Sequence, residues 1–229
     1  MNSYRFALKF LRAGFPMHQL GAIAVLAITG LLFMPLSALA HHPFGGETPT
    51  YAIEAFLSGL GHPIIGLDHL AFVITAGLLA AVMGRGLSIP IAFVIASLAG
   101  TGIHMMELTL PASEFFIAAS VLLFGILLAV KKQPHSMAVM VAAAIAGIFH
   151  GYAYGEAIVG AEMGPLAAYL FGFTFIQMAI ALAAHWIGKT ALAKTSGPSR
   201  LTLRFAGFVV CGCGVTFLST LIVDTLLPV

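Results

Sequence analysis

Charge is scarce in this sequence. Ten basic and 8 acidic side chains are spread over 229 residues, 8% of the chain, where an ordinary soluble domain carries about 25%. That scarcity excludes a soluble globule. Cysteine is nearly absent too: Cys211 and Cys213 are the two, inside one apolar run, and a separation of two places them roughly 200° apart around a helix. They give neither a disulfide framework nor a chelating pair. The net charge of +2, with no basic stripe, excludes nucleic acid as a partner. No P-loop occurs, so ATP-driven pumping would need a partner protein. The chain also lacks His-Glu-x-x-His and Gly-x-Ser-Gly, which argues against zinc and rhomboid-type intramembrane proteases.

What fills the sequence instead is long apolar runs, with 60% of residues hydrophobic. They lie near Leu60–Met83, Leu87–Leu108, Phe115–Val130, Met137–Ala157, Leu166–Ile187 and Phe205–Leu227. A spanning helix needs roughly 20 such residues, and helix is the open-ended structure that satisfies its own backbone in lipid. The expected fold class is therefore an all-α integral membrane protein, a bundle of six transmembrane helices forming a single domain over residues 41–229. Short loops make neighbouring helices antiparallel. Residues 1–40 read as a signal peptide: Arg5, Lys9 and Arg12 precede an apolar stretch, and Ala38-Leu39-Ala40 offers small residues where signal peptidase reads. An uncleaved first helix is the alternative. Cleavage after Ala40 would expose His41 and His42, either a secondary metal-collecting pair or an ordinary polar terminus.

Sidedness follows from the basic residues. Arg85, then Lys131 and Lys132, then Lys189, Lys194, Arg200 and Arg204 occupy alternate loops, on the same side as the three basic residues of the signal. The positive-inside rule makes that side cytoplasmic. The chain is expected in a bacterial inner membrane with both mature termini outside the cytoplasm. Glu47, Glu54, Glu114 and Glu162 face outward, where they either concentrate cations or are simply solvated.

An ionisable group near the bilayer centre costs about 2.5 kcal/mol or more, so it marks function by default. Three such groups fall within eight residues of the first span: His62, Asp68 and His69. The two histidines are seven apart and share a face, yet on a straight helix they would stand roughly 10 Å apart along the axis. Either they are two successive stations, or Gly61, Pro63 and Gly66 break the helix and bring them together. The fourth span adds His150 and Glu156, with Tyr154 one turn beyond His150 and glycines at 147, 151 and 155 forming a stripe for close packing. Counted along opposed helices, Asp68, His69 and His150 reach a common depth of about 9 to 11 Å. His62, Glu156 and His104 fall nearer the outer mouth. Thr174, Gln177 and His185 of the fifth span lie lower, on the exit side. Imidazole with carboxylate suits Ni(II), Co(II), Zn(II) or Fe(II), and binding would weaken with falling pH because the ligand must be neutral imidazole.

The first-span pattern His62-Pro63-x-x-Gly66-x-Asp68-His69, the segment carrying His150, Gly151, Ala153, Gly155 and Glu156, and the opening Glu114-Phe115-Phe116-Ile117-Ala118-Ala119-Ser120-Val121 resemble the HupE/UreJ family of membrane nickel and cobalt permeases. The similarity spans essentially the whole mature chain. The resemblance implies a six-span bundle, metal uptake serving nickel enzymes such as hydrogenase or urease, and no enzymatic activity. Ni(II) or Co(II) would be transported substrate, with no prosthetic group. Tyr154 stands where members often have a second histidine, which leaves the number of nitrogen ligands and the preferred ion open. Two other readings stay open on the residues: a membrane metalloenzyme, and a metal-binding assembly factor that transports nothing.

Overall fold

The computed structural model describes residues 48–194 and 198–226, and every element in them is helical. The expected signal peptide, with His41 and His42, lies outside the described residues. The helices are α1 (Ala52–Ile65), α2 (Leu67–Met83), α3 (Ser88–Met105), α4 (Ser113–Ala129), α5 (Ser136–Glu156), α6 (Met163–Lys194) and α7 (Pro198–Leu226). Helices α3, α5, α6 and α7 are each long and apolar enough to cross a membrane. The pair α1 and α2 passes the same test as a single span bent by 77°, and α4 is a shorter apolar helix of 17 residues. The protein is a multi-pass membrane protein.

The first apolar run differs from its sequence expectation at both start and middle. Its helix begins at Ala52, eight residues before the apolar run at Leu60, because Glu54, Ser58 and Gly59 lower the hydropathy of the first turns of α1 without breaking the helix. Its middle is broken. Pro63 removes one backbone donor from the last turn of α1, and Gly66, at φ −70° and ψ 98°, takes the chain out of helix before α2 starts. Gly66 is required for space: a Cβ there would come within 2.6 Å of the His69 Cδ2 and 3.2 Å of the Asp68 Oδ1.

Glycine also sets how the helices pair. In lipid the solvent is as apolar as the side chains, so close backbone approach and van der Waals packing carry association. On α5, Gly147 sits against Phe93, Gly151 against Ser97 and Gly155 against His104, while Gly100 of α3 returns the contact at Ile148. This register runs α3 parallel to α5, and the Thr101 hydroxyl ties them by donating to the Gly151 carbonyl at 2.8 Å. In the same way Gly59 and Gly172 join α1 to α6, and Gly77 and Gly188 join α2 to the lower part of α6, again parallel. Gly125, Gly207 and Gly214 join α4 to α7 in antiparallel sense. Three closely packed pairs thus meet around one core of Phe72, Phe93, Phe124, Leu79 and Val121, all at most 1% exposed.

Candidate metal-binding site

The break at Gly66 assembles the site. With α1 and α2 bent by 77°, the ring centroids of His62 and His69 are 5.6 Å apart, well under the roughly 10 Å of a straight helix. The close approach of α5 supplies the rest. The Tyr154 ring lies 5.0 Å from that of His62 and 4.6 Å from that of His69, and the His150 ring lies 4.8 Å from that of His69. All four side chains are fully buried. Phe72 and Phe93 close the cluster from one side, with their rings 4.8 and 5.4 Å from that of His150.

Hydrogen bonds fix where each imidazole carries its proton. Ser120 donates its hydroxyl to the Ile117 carbonyl at 2.7 Å, so its oxygen accepts from the Nε2–H of His150 at 3.0 Å. A neutral imidazole has one donor and one acceptor nitrogen, which leaves the His150 lone pair on Nδ1. The 2.7 Å contact between the Nδ1 atoms of His69 and His150 is then a bond donated by His69, and His69 carries its own lone pair on Nε2. The same logic holds for His62. Tyr169 donates to the Tyr154 carbonyl at 2.8 Å and accepts from the His62 Nδ1–H at 3.0 Å, so Nε2 is the basic nitrogen of His62.

This arrangement suits a cation. Two imidazole nitrogens, each about 2.0–2.1 Å from one ion, stand roughly 3 Å apart. The His69 and His150 nitrogens already lie 2.7 Å apart, so a small rotation would let an ion take the place of the shared proton. The carbonyl end of α1, negative by its helix dipole, points into the break, an orientation that half-helices use to attract cations. The opposite end, the N-terminus of α2, is offset by Asp68, whose Oδ1 accepts the His69 backbone N–H at 2.8 Å. The Tyr154 hydroxyl is buried and has no hydrogen-bond partner, at a cost of about 1–3 kcal/mol for such a group; it is an oxygen donor beside the imidazoles. Among the described residues, no group of three or more His, Cys, Asp or Glu side chains is placed to hold one metal ion.

Of the residues singled out in the sequence, His62, His69, His150 and Tyr154 meet, with Asp68 half-buried beside them. His104 instead lies against Tyr152, their tilted rings 4.4 Å apart, and packs on Gly155. Glu156 is exposed at the end of α5. Tyr169 and Ser120 are hydrogen-bond partners of the imidazoles that sequence reasoning passed over; each is a polar side chain inside an apolar run, but its partner is fixed by helix register. Further along α6, Thr174 Oγ1, Gln177 Oε1 and His185 Nδ1 are buried without a hydrogen-bond partner. At 100° per residue the three fall within an arc of about 80°.

A family profile described as HupE / UreJ protein matches residues 28–217. The chain belongs to the HupE/UreJ family. Among curated members, Protein HupE of Rhizobium leguminosarum bv. viciae is 27% identical over 193 residues, covering 83% of this chain and 95% of its own length. No solved structure matches the chain. The expected resemblance is therefore borne out, and the site just described lies wholly within the matched HupE/UreJ region.

Proposed function

We propose that this chain is a secondary permease that carries a divalent transition-metal ion, nickel or cobalt, inward across a bacterial inner membrane. The observation that carries the reading is the buried His69–His150 pair, with nitrogens 2.7 Å apart, in contact with His62 and Tyr154 at a broken helix. Neither burial nor packing calls for three imidazoles there, since each costs desolvation that an apolar side chain avoids. The donor set of imidazole, carboxylate and phenol oxygen favours Ni(II), Co(II) or Zn(II) over copper(I).

In this reading the bent α1–α2 pair is one span and α4, at 17 residues the lower limit for crossing roughly 30 Å, is another, giving six. Ions enter from the outer side past His104 and Glu156, pause at the imidazole cluster, and leave along Thr174, Gln177 and His185. A site with few and loosely held ligands suits conduction, because an ion must also leave. Uptake of this kind would supply nickel enzymes such as hydrogenase or urease.

The test is uptake of radioactive nickel and cobalt into energised vesicles containing the purified protein. Wild type is expected to give saturable flux that His69→Ala and Asp68→Asn both abolish. Metal held tightly by wild type with no flux would sink the permease reading in favour of a metalloenzyme or an assembly factor.

A further inference from the structure

At the end of the bundle opposite the imidazole site, four basic side chains from three parts of the chain surround one cavity of about 520 Å³: Arg85 after α2, Lys131 and Lys132 after α4, and Arg204 of α7. Among the described residues, no carboxylate lines this cavity. Arg204 is held in place by donating its Nε–H to the Ala129 carbonyl at 2.6 Å. Four like charges around one hollow repel one another unless an anion joins them. A cation leaving the protein would gain nothing from such a mouth, so the cavity is foreign to metal conduction.

A second, apolar hollow of about 350 Å³ adjoins it and shares Val130, Lys131 and Arg204 with it. It runs along the contact of α4 with α7 and is walled by Ile126, Phe208 and Cys211, of which Ile126 and Phe208 are exposed on the outside of the bundle. An anion-attracting hollow at the helix ends, continuous with an apolar groove on the flank of a membrane helix, matches one molecule in both parts.

We propose that this end of the protein binds an anionic phospholipid, with the phosphate among Arg85, Lys131, Lys132 and Arg204 and one acyl chain in the α4–α7 groove. Basic pockets between membrane helices hold lipid headgroups in this way, each Lys or Arg near the surface contributing about fivefold in affinity. Phosphate alone would satisfy the basic hollow but not the groove. The lipid also bridges α2, α4 and α7, tying the α4–α7 pair to the helix that carries His69.

The experiment is native mass spectrometry of the full-length protein extracted in neutral detergent and titrated separately with phosphatidylglycerol, phosphatidylcholine and inorganic phosphate. One phosphatidylglycerol is expected to bind, with phosphatidylcholine at least tenfold weaker. Lys131→Gln with Lys132→Gln should weaken phosphatidylglycerol about 25-fold. Ile126→Trp, which fills the groove and spares every charge, should displace the lipid while leaving any phosphate adduct unchanged. Equal binding of both lipids, or loss of phosphatidylglycerol in neither variant, overturns the proposal. Binding of phosphate that competes with the lipid but is insensitive to Ile126→Trp, together with lipid binding equally insensitive, overturns the acyl-chain half and leaves a free-anion site. None of these outcomes depends on metal transport.

Discussion

Around His62, Tyr169 separates coordination from packing. Its ring packs against Phe173, with centroids 5.7 Å apart, and its hydroxyl accepts the His62 Nδ1–H at 3.0 Å. Tyr169→Phe keeps the ring and deletes the acceptor, so His62 loses the bond that directs its lone pair to Nε2. Removing a partner that orients a metal-binding histidine costs about 10- to 100-fold in affinity. The expected outcome is a rise of that size in the KM for cobalt uptake with the maximal rate largely kept; an unchanged KM would show that His62 is not oriented through this hydroxyl. The imidazoles themselves were legible in the sequence, because ionisable groups inside apolar runs stand out without any fold. Tyr169 and Ser120 were not. Their significance depends on which residue of another helix they face, and that is set by glycine contacts such as Gly59 on Tyr169, a register no single span encodes.

At the scale of elements, the break between α1 and α2 was foreseen from Gly61, Pro63 and Gly66 as one of two alternatives, and the contact at Gly66 shows why it needs glycine. Gly66→Ala places a methyl 2.6 Å from the His69 ring carbon, tighter than any ordinary carbon contact at 3.5–4.0 Å. The ring must move, and with it the nitrogen that meets His150. We expect nickel and cobalt binding to fall at least tenfold by titration calorimetry while helical circular dichroism stays as in wild type. A protein that binds metal normally would show that the His69–His150 pair is not the ligand core. Helix α6 carries the companion prediction. Gln177 is fully buried with its Nε2 bonded to the Phe173 carbonyl at 3.1 Å and its Oε1 unpaired, about 12 Å along the helix from Tyr169 at 1.5 Å per residue. If that oxygen is a step on the exit path, Gln177→Leu should slow uptake at least tenfold with binding at the imidazoles retained. Full-speed uptake would make the α6 polar stripe structural.

At the scale of the molecule, the distribution of charge decides what can drive an ion through. The sequence showed the basic residues alternating between loops, and the fold gathers Arg85, Lys131, Lys132 and Arg204 about one cavity at one end of the bundle, as that alternation requires. If the positive-inside rule makes this end cytoplasmic, an inward-moving divalent ion travels down an inside-negative potential worth about 4.6 kcal/mol at 100 mV. No nucleotide-binding motif was found in the sequence to supply energy otherwise. Proton exchange is the competing coupling, and the imidazole pair offers it little: His69 and His150 are both neutral, so an ion that takes the place of their hydrogen bond shifts the His69 proton from Nδ1 to Nε2 and releases none. The two couplings differ in net charge moved. In vesicles with an imposed potassium diffusion potential and no pH gradient, uptake by potential alone should rise with voltage and accumulate nickel about tenfold for each 30 mV, the value for a two-charge carrier. Exchange of one ion for two protons moves no net charge, so its flux would ignore the voltage and follow an imposed pH gradient instead. We expect the first result, because two neutral imidazoles have no proton to give up in exchange for the ion.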